Sequence, residues 1–324
     1  MLKIGLAGTW HVHFRGYAME AGSRDEDCVI TRLWEPNEEV GEDIADTLEC
    51  EYFTDYDAFL AGDGIDAVIV SSETSLHPEV IIKAAEAGKH IFTEKVLSFT
   101  LEDAKRIKEA VDKNGVKFCI SFPWRGRGEF LWLKQALADK LVGDVTYIRM
   151  RNAHNGASGK WLTPAFFDPE TCGGGAMMDL GAHPMYLLNW FMGKPKSVSS
   201  VFTNFMVDSV EDNAVSVLEY PCGAIGVSET SFVAENNPYS LEICGTKGTI
   251  FAGGPDNKLT YKIGKEWQEP EETPDATESP INIFIDALVK GTDIPYTIDD
   301  AVALTETMEA AFKSHRSGAK YYLD

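Results

Sequence analysis

Two kinds of chemistry are open to the stretch GTWHVH, from Gly8 to His13, which follows an apolar strand pattern at the start of the chain. A glycine-rich turn between a first strand and a helix holds a dinucleotide pyrophosphate through backbone N–H groups and the positive end of the helix. A His-x-His pair in the same place can instead bind a metal ion through its imidazole nitrogens. The two alternatives need different residues elsewhere in the chain.

Only the first glycine of the dinucleotide fingerprint G-x-G-x-x-G is present, since Trp10 and His13 stand at the second and third positions. Glu35 nevertheless favours a dinucleotide, because it ends a second strand pattern at a spacing where a carboxylate accepts from both ribose hydroxyls. No arginine follows it in EPNEEVGEDIAD to receive a 2′-phosphate, so we predict NAD rather than NADP. The NAD contacts predicted in this region are Gly8, Thr9, Trp10, His11 and Glu35.

Two further pairs of residues could act on a substrate. Glu94 and Lys95 end a strand pattern at the sheet edge where wound parallel sheets bind ligands, and we expect both to contact the cofactor. Asp179 and His183 are four positions apart, so that one helical face could present a carboxylate and an imidazole together. The preceding Gly173–Gly175 disfavours a helix start unless the backbone passes close to another group, which favours a functional pair over a surface pair.

The elements that position these residues alternate between short apolar strands and amphipathic helices in the first third of the chain. Helix patterns end at glycines in EAGKH and DKNGV, and TLED, from Thr100 to Asp103, is a capping box. This alternation predicts a Rossmann-type parallel sheet wound by helices. The predicted strands are LKIGLA, VITRLWE, AVIVSS, HIFTEK and KFCISF.

After about Pro123 the pattern changes to one amphipathic helix and then closely spaced strands joined by short turns such as PCG. Such a succession predicts a large, mostly antiparallel open sheet. We therefore predict an α/β protein with two domains: an NAD-binding Rossmann domain over residues 1–122, and a substrate-binding and oligomerisation domain over residues 123–324. Two helices are expected near INIFIDALVK and DDAVALTETMEAAFKSH.

The metal alternative depends on a different fold. A His-x-His after the first strand resembles the start of the amidohydrolases, a TIM-barrel class in which later strand ends complete a metal site, and the chain has 7 histidines. A barrel requires strands and helices to keep alternating, whereas the second half of this chain is a run of strands. We therefore predict no metal site.

Composition excludes several classes of protein. The net charge is −22, with 51 acidic and 29 basic residues, which disfavours nucleic acid as a partner. No apolar run approaches the roughly 18 residues of a membrane span, and the N-terminus enters a strand pattern directly, so we expect a cytoplasmic protein without a membrane partner. The 6 cysteines are dispersed without a C-x-x-C pair, which predicts free thiols.

The chain resembles the Gfo/Idh/MocA oxidoreductase family, which includes glucose-fructose oxidoreductase and myo-inositol dehydrogenase. The resemblance is carried along nearly the whole chain by AGKHIFTEK, GGGAMMDLGAH, EDNAVSVLEYPCGAIG, LEICGTKGTI and SHRSGAKYYL. It implies hydride transfer between a sugar or polyol carbon and nicotinamide, with Lys95, Asp179 and His183 at the family's catalytic positions. It also implies that Ser72, Thr74 and His77 lie near the nicotinamide end of NAD.

These residue types suit the oxidation of an alcohol, in which the hydroxyl proton is removed as hydride leaves the carbon. A neutral imidazole titrates near the working pH, so we expect His183 to take the proton. Lys95 is expected to stabilise the negative charge that develops on the same oxygen, and Asp179 to orient His183 or hold an adjacent hydroxyl. The substrate is expected to lie between the two domains.

The chain departs from the family pattern at two places. The usual Glu-Lys-Pro is Glu94-Lys95-Val96, so the turn that aims the lysine lacks a fixed proline dihedral. The family's H-x-x-D becomes His183-Pro-Met-Tyr186, which replaces a carboxylate by a phenol. Tyr186 can still donate a hydrogen bond, Arg125 is expected at the domain junction, and the aromatic face of Trp161 suits the C–H face of a pyranose. The predicted substrate contacts are Arg125, Trp161 and Tyr186.

We therefore predict an NAD-dependent dehydrogenase acting on a CH–OH group of a sugar or polyol, assembled as a homodimer or homotetramer. One alternative keeps NAD tightly bound and oxidises a sugar transiently to cleave a glycosidic bond. Another is a non-catalytic, nucleotide-responsive regulator, which the retention of Lys95, Asp179 and His183 disfavours. A metal-dependent amidohydrolase is the least favoured alternative.

Overall fold

The computed structural model describes residues 1–235 and 239–323. Its strands are β1 Leu2–Ala7, β2 Cys28–Trp34, β3 Glu51–Phe53, β4 Ala67–Val70, β5 His90–Thr93, β6 Phe118–Ile120, β7 Val145–Ala153, β8 Ser197–Thr203, β9 Asn213–Glu219, β10 Ile225–Ser231, β11 Ser240–Gly245, β12 Gly248–Gly253, β13 Lys258–Ile263, β14 Glu266–Gln268 and β15 Tyr321–Tyr322. Its α-helices are α1 Phe14–Gly22, α2 Glu38–Leu48, α3 Tyr56–Leu60, α4 His77–Glu86, α5 Leu101–Asn114, α6 Gly128–Ala138, α7 Pro169–Cys172, α8 Ala176–Asp179, α9 Ala182–Met192, α10 Pro280–Val289 and α11 Ile298–Ser317. No described helix combines the length and the apolar character that a bilayer-spanning segment needs.

The chain divides into two compact units. Unit 1 consists of Met1–Ser121 and Glu278–Val302. Unit 2 consists of Phe122–Thr277 and the chain from Ala303 onward, so the division falls within α11.

Unit 1 contains a six-stranded parallel sheet in the order β3-β2-β1-β4-β5-β6, which confirms the predicted Rossmann-type fold. All four residues of β4 are buried and apolar, as expected for a central strand covered by helices on both faces. The strand order reverses between β1 and β4. In open parallel sheets, ligands bind beyond the carboxyl ends of the strands at such a switch point. The carboxyl ends of β1 and β4 lead into Gly8 and Ser71, respectively.

The local signals predicted for the helices of unit 1 are present. Thr100 precedes α5, and its hydroxyl oxygen accepts a hydrogen bond from the Asp103 N–H at 3.1 Å. Gly115 ends α5 in the left-handed region with φ of +64°, where glycine avoids the Cβ clash. The Thr100 cap and the glycine stop signal are therefore confirmed, while the Asp103 carboxylate accepts from the Thr100 hydroxyl at 2.8 Å.

Residues 278–302 belong to unit 1 although they follow the strands of unit 2 in sequence. Helix α10 packs against α1 and β6, and Arg24 forms salt bridges with both Asp27 and Asp286. The compact units are therefore discontinuous, unlike the two continuous domains, 1–122 and 123–324, that the sequence predicts. Periodicity shows that α10 has an apolar face, but it does not show which sheet covers that face.

Unit 2 contains a nine-stranded sheet in the order β14-β13-β12-β11-β7-β10-β9-β8-β15. Strands β7 and β10 are parallel and the other neighbours are antiparallel, which confirms the predicted mostly antiparallel sheet. One face is covered, and its buried side chains include Ile148, Met150, Leu218 and Ile243. Helix α9, which carries His183, packs against β7 and β10 on this sheet.

Candidate functional site

The turn between β1 and α1 depends on the first glycine of the predicted fingerprint. Gly8 has φ of +83°, and a Cβ atom added there would lie 2.5 Å from the Ser72 Cα. Only glycine allows the ends of β1 and β4 to approach so closely with this backbone conformation. Gly8, which the sequence predicts as an NAD contact, is therefore required by strand packing at the switch point.

In this turn, unlike in the fingerprint, several backbone N–H groups donate to other groups of the protein. The Thr9 N–H donates to Glu35 Oε2 at 3.0 Å, and the His11 N–H donates to the Ser71 carbonyl oxygen at 3.0 Å. The His13 N–H donates to His11 Nδ1 at 3.2 Å. Helix α1 begins only after His13, so the turn precedes the first turn of the helix.

Glu35, at the end of β2, holds the turn while remaining able to accept further hydrogen bonds. Its Oε2 also accepts from the Thr9 hydroxyl at 2.7 Å, and its Oε1 accepts from the Asn37 N–H at 3.1 Å. A carboxylate offers about four lone-pair sites, so acceptor capacity is left for ribose hydroxyls. The predicted position of Glu35 beside the turn is observed.

Two buried polar atoms on the neighbouring strand end fit a ligand. No described residue forms a hydrogen bond with Ser72 Oγ or His77 Nε2. His77 Nδ1 lies 3.0 Å from the Val96 carbonyl oxygen, and burial lowers the pKa of His77. The imidazole is therefore neutral and donates from Nδ1, which leaves Nε2 as an acceptor. Thr74 is also buried in this segment.

Glu94 follows β5 and is 1% exposed. Its Oε1 lies 2.8 Å from His13 Nδ1 and 3.6 Å from His11 Nδ1, and the Tyr17 hydroxyl donates to the same oxygen. Burial would raise the pKa of Glu94, but the two imidazoles outweigh it and hold that pKa well below its ordinary range. Glu94 is therefore a buried carboxylate, in contact with His11 and His13 of the turn after β1 and with Tyr17 of α1.

Tyr17 was not identified from the sequence. Tyr17 lies four positions after His13, and this i,i+4 spacing is the sequence signal that both side chains lie on one face of a helix. Because its only proton goes to Glu94, the Ser121 hydroxyl at 2.8 Å donates to the Tyr17 oxygen. Burial raises the pKa of Tyr17, and the Glu94 carboxylate raises it further, so the phenol keeps its proton.

Lys95 is buried beside this cluster. Its side chain is 5% exposed, and its backbone N–H donates to Glu94 Oε2 at 3.0 Å. The Lys95–Val96 peptide bond is cis. Glu94 therefore orders the backbone from which the predicted catalytic lysine projects.

The glycines before α8 allow a buried glutamate to approach. A Cβ atom on Gly175 would lie 2.1 Å from the Glu211 carbonyl oxygen. Glu211 Oε1 accepts from the N–H groups of Gly175 at 2.8 Å and Met177 at 3.0 Å. The close backbone approach inferred from the glycine run is thus to Glu211, which sequence reasoning did not identify although EDNAVSV was recognised as a motif.

Asp179 and His183 lie on different helices. Helix α8 ends at Asp179 and α9 begins at Ala182, so the prediction that one continuous helix presents both side chains is wrong. Gly181 lies between them, and a Cβ atom there would lie 2.4 Å from the Met177 carbonyl oxygen. A side chain at position 181 would therefore clash with the last turn of α8.

His183 is buried against two aromatic side chains. The Trp124 ring stacks on the imidazole, with ring centroids 5.0 Å apart and planes at 23°. His183 Nδ1 lies 3.0 Å from the Tyr186 hydroxyl oxygen. The same oxygen accepts a hydrogen bond from the backbone N–H of Trp124 at 3.2 Å. In the tautomer that donates from Nδ1 to Tyr186, Nε2 carries the lone pair that a general base needs.

The three predicted substrate residues differ in environment. Tyr186 is 2% exposed, and its hydroxyl contacts His183. The Arg125 guanidinium lies 5.0 Å from the centre of the Trp190 ring. Trp161 is 56% exposed, which leaves an aromatic face accessible, and its Nε1–H donates to Asn155 Oδ1 at 3.0 Å.

Two segments of the chain match models of one family. Residues 2–122 match the oxidoreductase family with the NAD-binding Rossmann fold, and residues 130–251 match the GFO/IDH/MocA C-terminal domain. The myo-inositol 2-dehydrogenase of Thermotoga maritima is 30% identical over 259 residues, which cover 77% of this chain and 73% of the relative. The chain belongs to the Gfo/Idh/MocA family. This Gfo/Idh/MocA protein is an NAD-binding oxidoreductase, as predicted.

Two other proteins show how far the likeness extends. The scyllo-inositol 2-dehydrogenase (NAD(+)) of Bacillus subtilis is 29% identical over 278 residues, which cover 81% of this chain and 78% of the relative. The WlbA dehydrogenase from Bordetella pertussis, solved with NADH and UDP-GlcNAcA, superposes with a TM-score of 0.87 at 21% identity. That superposition covers 100% of this chain and 98% of WlbA, and it shows the shared fold.

Proposed function

We propose that this oxidoreductase transfers a hydride between NAD and a hydroxyl-bearing carbon of a sugar or polyol. The observation that carries the proposal is the buried His183, whose Nδ1 lies 3.0 Å from the Tyr186 hydroxyl oxygen. In the tautomer that donates from Nδ1 to Tyr186, Nε2 is the nitrogen that accepts a hydroxyl proton. The inositol dehydrogenases among the relatives support this substrate class.

NAD, when bound, supplies the hydride acceptor. The residues that would hold it are those whose local geometry fits a dinucleotide: the Gly8 turn, the Glu35 carboxylate, and the buried Ser72 hydroxyl and His77 imidazole. Thr9, Trp10, His11 and Thr74 complete the proposed cofactor contacts. Glu35 favours NAD because its negative charge repels the 2′-phosphate of NADP.

The catalytic roles follow from the chemistry of the side chains. His183 Nε2 takes the hydroxyl proton as the electron pair of the C–H bond leaves with the hydride. Lys95 carries the positive charge that stabilises the developing alkoxide, and Asp179 accepts from a neighbouring hydroxyl of the substrate. Arg125 and the exposed ring of Trp161 would bind other parts of the sugar.

The decisive experiment is a substrate screen on protein freed of nucleotide and treated with a chelator. We expect NAD to raise the unfolding temperature more than NADP does, and a polyol or hexose to produce NADH with the wild type. Lys95→Met and His183→Asn should lower turnover by about 10²-fold or more, whereas Lys113→Met, an exposed lysine on α5, should not. Normal turnover in both active-site variants, or product release without net NADH, would overturn the proposal; the latter favours transient oxidation during glycoside cleavage.

We also propose that residues 1–122 bind NAD and that residues 123–324 bind substrate and assemble copies of the chain into a homodimer or homotetramer. The uncovered face of the nine-stranded sheet supports self-association, since Val201 pairs with Val215 across β8 and β9, and Phe251 contacts Trp267. All four side chains are at least 41% exposed, and such an exposed apolar face is typical of an interface. Light scattering should show an oligomer that Val215→Lys dissociates; a monomeric wild type would contradict this assembly.

A further inference from the structure

We propose that His11, His13 and Glu94 of unit 1 form a binding site for one divalent transition-metal ion. The proposal goes beyond hydride transfer, which needs no metal, and it differs from the sequence prediction of no metal site. It concerns two histidines of the turn after β1 together with the buried Glu94. One ligand atom from each of the three side chains lies within 4.8 Å of the others.

The distances suit a shared ion. Zinc bonds of about 2.0–2.1 Å in a tetrahedral arrangement place neighbouring ligand atoms about 3.3 Å apart. The distances from Glu94 Oε1 to the Nδ1 atoms of His13 and His11 are 2.8 Å and 3.6 Å, on either side of that value. Both imidazole–carboxylate distances are thus close to the spacing of a tetrahedral site, and all three ligand atoms lie within 4.8 Å of one another.

The donor set selects the type of metal. Two imidazoles and one carboxylate suit zinc, cobalt or iron, whereas calcium and magnesium prefer oxygen ligands. Three protein ligands leave at least one coordination position for water or another ligand, as in catalytic zinc sites. His13 is 48% exposed, which gives an ion a route to the buried Glu94.

The surroundings of Glu94 resemble the supporting hydrogen bonds of metal ligands. Tyr17 O–H donates to Glu94 Oε1, Ser121 donates to Tyr17, and the Lys95 backbone N–H donates to Glu94 Oε2. Such partners orient a ligating carboxylate and keep it ionised before the ion arrives. A rigid carboxylate reduces the ordering that metal binding requires.

Binding replaces two hydrogen bonds by metal–ligand bonds and moves one proton between the nitrogen atoms of His13. His13 donates from Nδ1 to the Glu94 carboxylate in the metal-free protein, so coordination at Nδ1 moves that proton to Nε2. Coordination through His11 Nδ1 exchanges its hydrogen bond from the His13 N–H for the metal bond. The Lys95 ammonium group, close enough to lower the pKa of Glu94, opposes a cation, and the two imidazole ligands must outweigh it.

Calorimetric titration of the chelator-treated full-length protein with Zn²⁺ tests the site. We expect one ion per chain, with affinity falling by about 100-fold or more in His13→Gln, since losing a ligand costs more than the roughly 10- to 100-fold loss from outer partners. Glu94→Gln, which keeps the shape of the side chain, should have the same effect. His315→Gln, which removes an exposed histidine on α11, is the matched control and should bind as the wild type does.

Cobalt supplies an independent readout. Co²⁺ bound by imidazole and carboxylate gives visible absorption, which we expect in the wild type and in His315→Gln but not in His13→Gln. Equal affinity and equal absorption in His13→Gln and the wild type would overturn the site and identify the cluster as a metal-free hydrogen-bond network. Fluorescence titration of the same metal-free protein with NADH reports the nucleotide site separately, so failure of the metal site and failure of the proposed function are distinguishable.

Discussion

His183 Nδ1 lies 3.0 Å from the Tyr186 hydroxyl oxygen, one turn along α9. The same oxygen accepts from the Trp124 N–H, and Trp124 stacks on the imidazole. Two contacts therefore set the orientation of the imidazole, and the hydrogen bond from Trp124 to Tyr186 links the two side chains that make them. Tyr186, which the sequence predicts as a substrate ligand, is placed by the structure where it can position the proposed base.

Tyr186→Phe tests this positioning role. The variant keeps the aromatic packing and removes the oxygen that accepts from the His183 Nδ1–H. General acid–base catalysis contributes roughly 10²- to 10⁴-fold to the rate, so we expect the loss of this positioning contact to lower turnover by about 10-fold or more. The acidic limb of the pH profile of kcat should also shift, while KM changes little. A raised KM with unchanged kcat would instead identify Tyr186 as a substrate ligand.

Glu35→Gln tests the nucleotide contact. Replacing a charged acceptor costs about 1.5–3 kcal/mol of hydrogen bonding, so we expect NADH affinity to fall by roughly 10- to 100-fold in a fluorescence titration. NADP affinity should fall less, because the repulsion of its 2′-phosphate is also removed. Glu38→Gln, an exposed acid at the start of α2, is the control; an equal loss in both variants would contradict the assignment.

His77 should make stability fall in mild acid. The pKa of a free histidine side chain is 6.5, and burial lowers the pKa of His77 below this value in the folded protein. As the pH falls below 6.5, the unfolded chain therefore binds a proton that the folded chain excludes. This contribution is complete above pH 6.5 and is lost as pH falls, by at most about 1.4 kcal/mol per pH unit. Urea unfolding of the wild type and of His77→Asn should show a shallower pH dependence in the variant, and identical slopes would contradict the prediction.

Glu211→Ala should destabilise unit 2. The substitution leaves the buried N–H groups of Gly175 and Met177 without their acceptor, at a cost of about 1–3 kcal/mol for each. Glu211→Gln retains one oxygen acceptor and should be milder. The free energy of unfolding measured in urea distinguishes the two variants, and equal stability of Glu211→Ala and wild type would show that these hydrogen bonds contribute little.

The sequence by itself determined the features that depend on neighbouring residues. Strand and helix alternation predicted the parallel sheet, and Thr100 and Gly115 marked the ends of α5, because periodicity and capping act over a few residues. Glu35 and Glu94 were found because they end strands, and the ends of parallel strands meet at one edge. The family was recognised from motifs of this kind.

Only the tertiary structure decided which distant residues meet. Glu94 contacts His13 and Tyr17 across 81 and 77 positions, and Glu211 contacts Gly175 across 36. Strands β3, β12, β14 and β15 also escaped prediction, because short or glycine-containing segments carry a weak local pattern. Contacts of this range depend on strand order, register and close backbone approach, which arise from packing of the whole unit and leave no periodic signal in the local sequence.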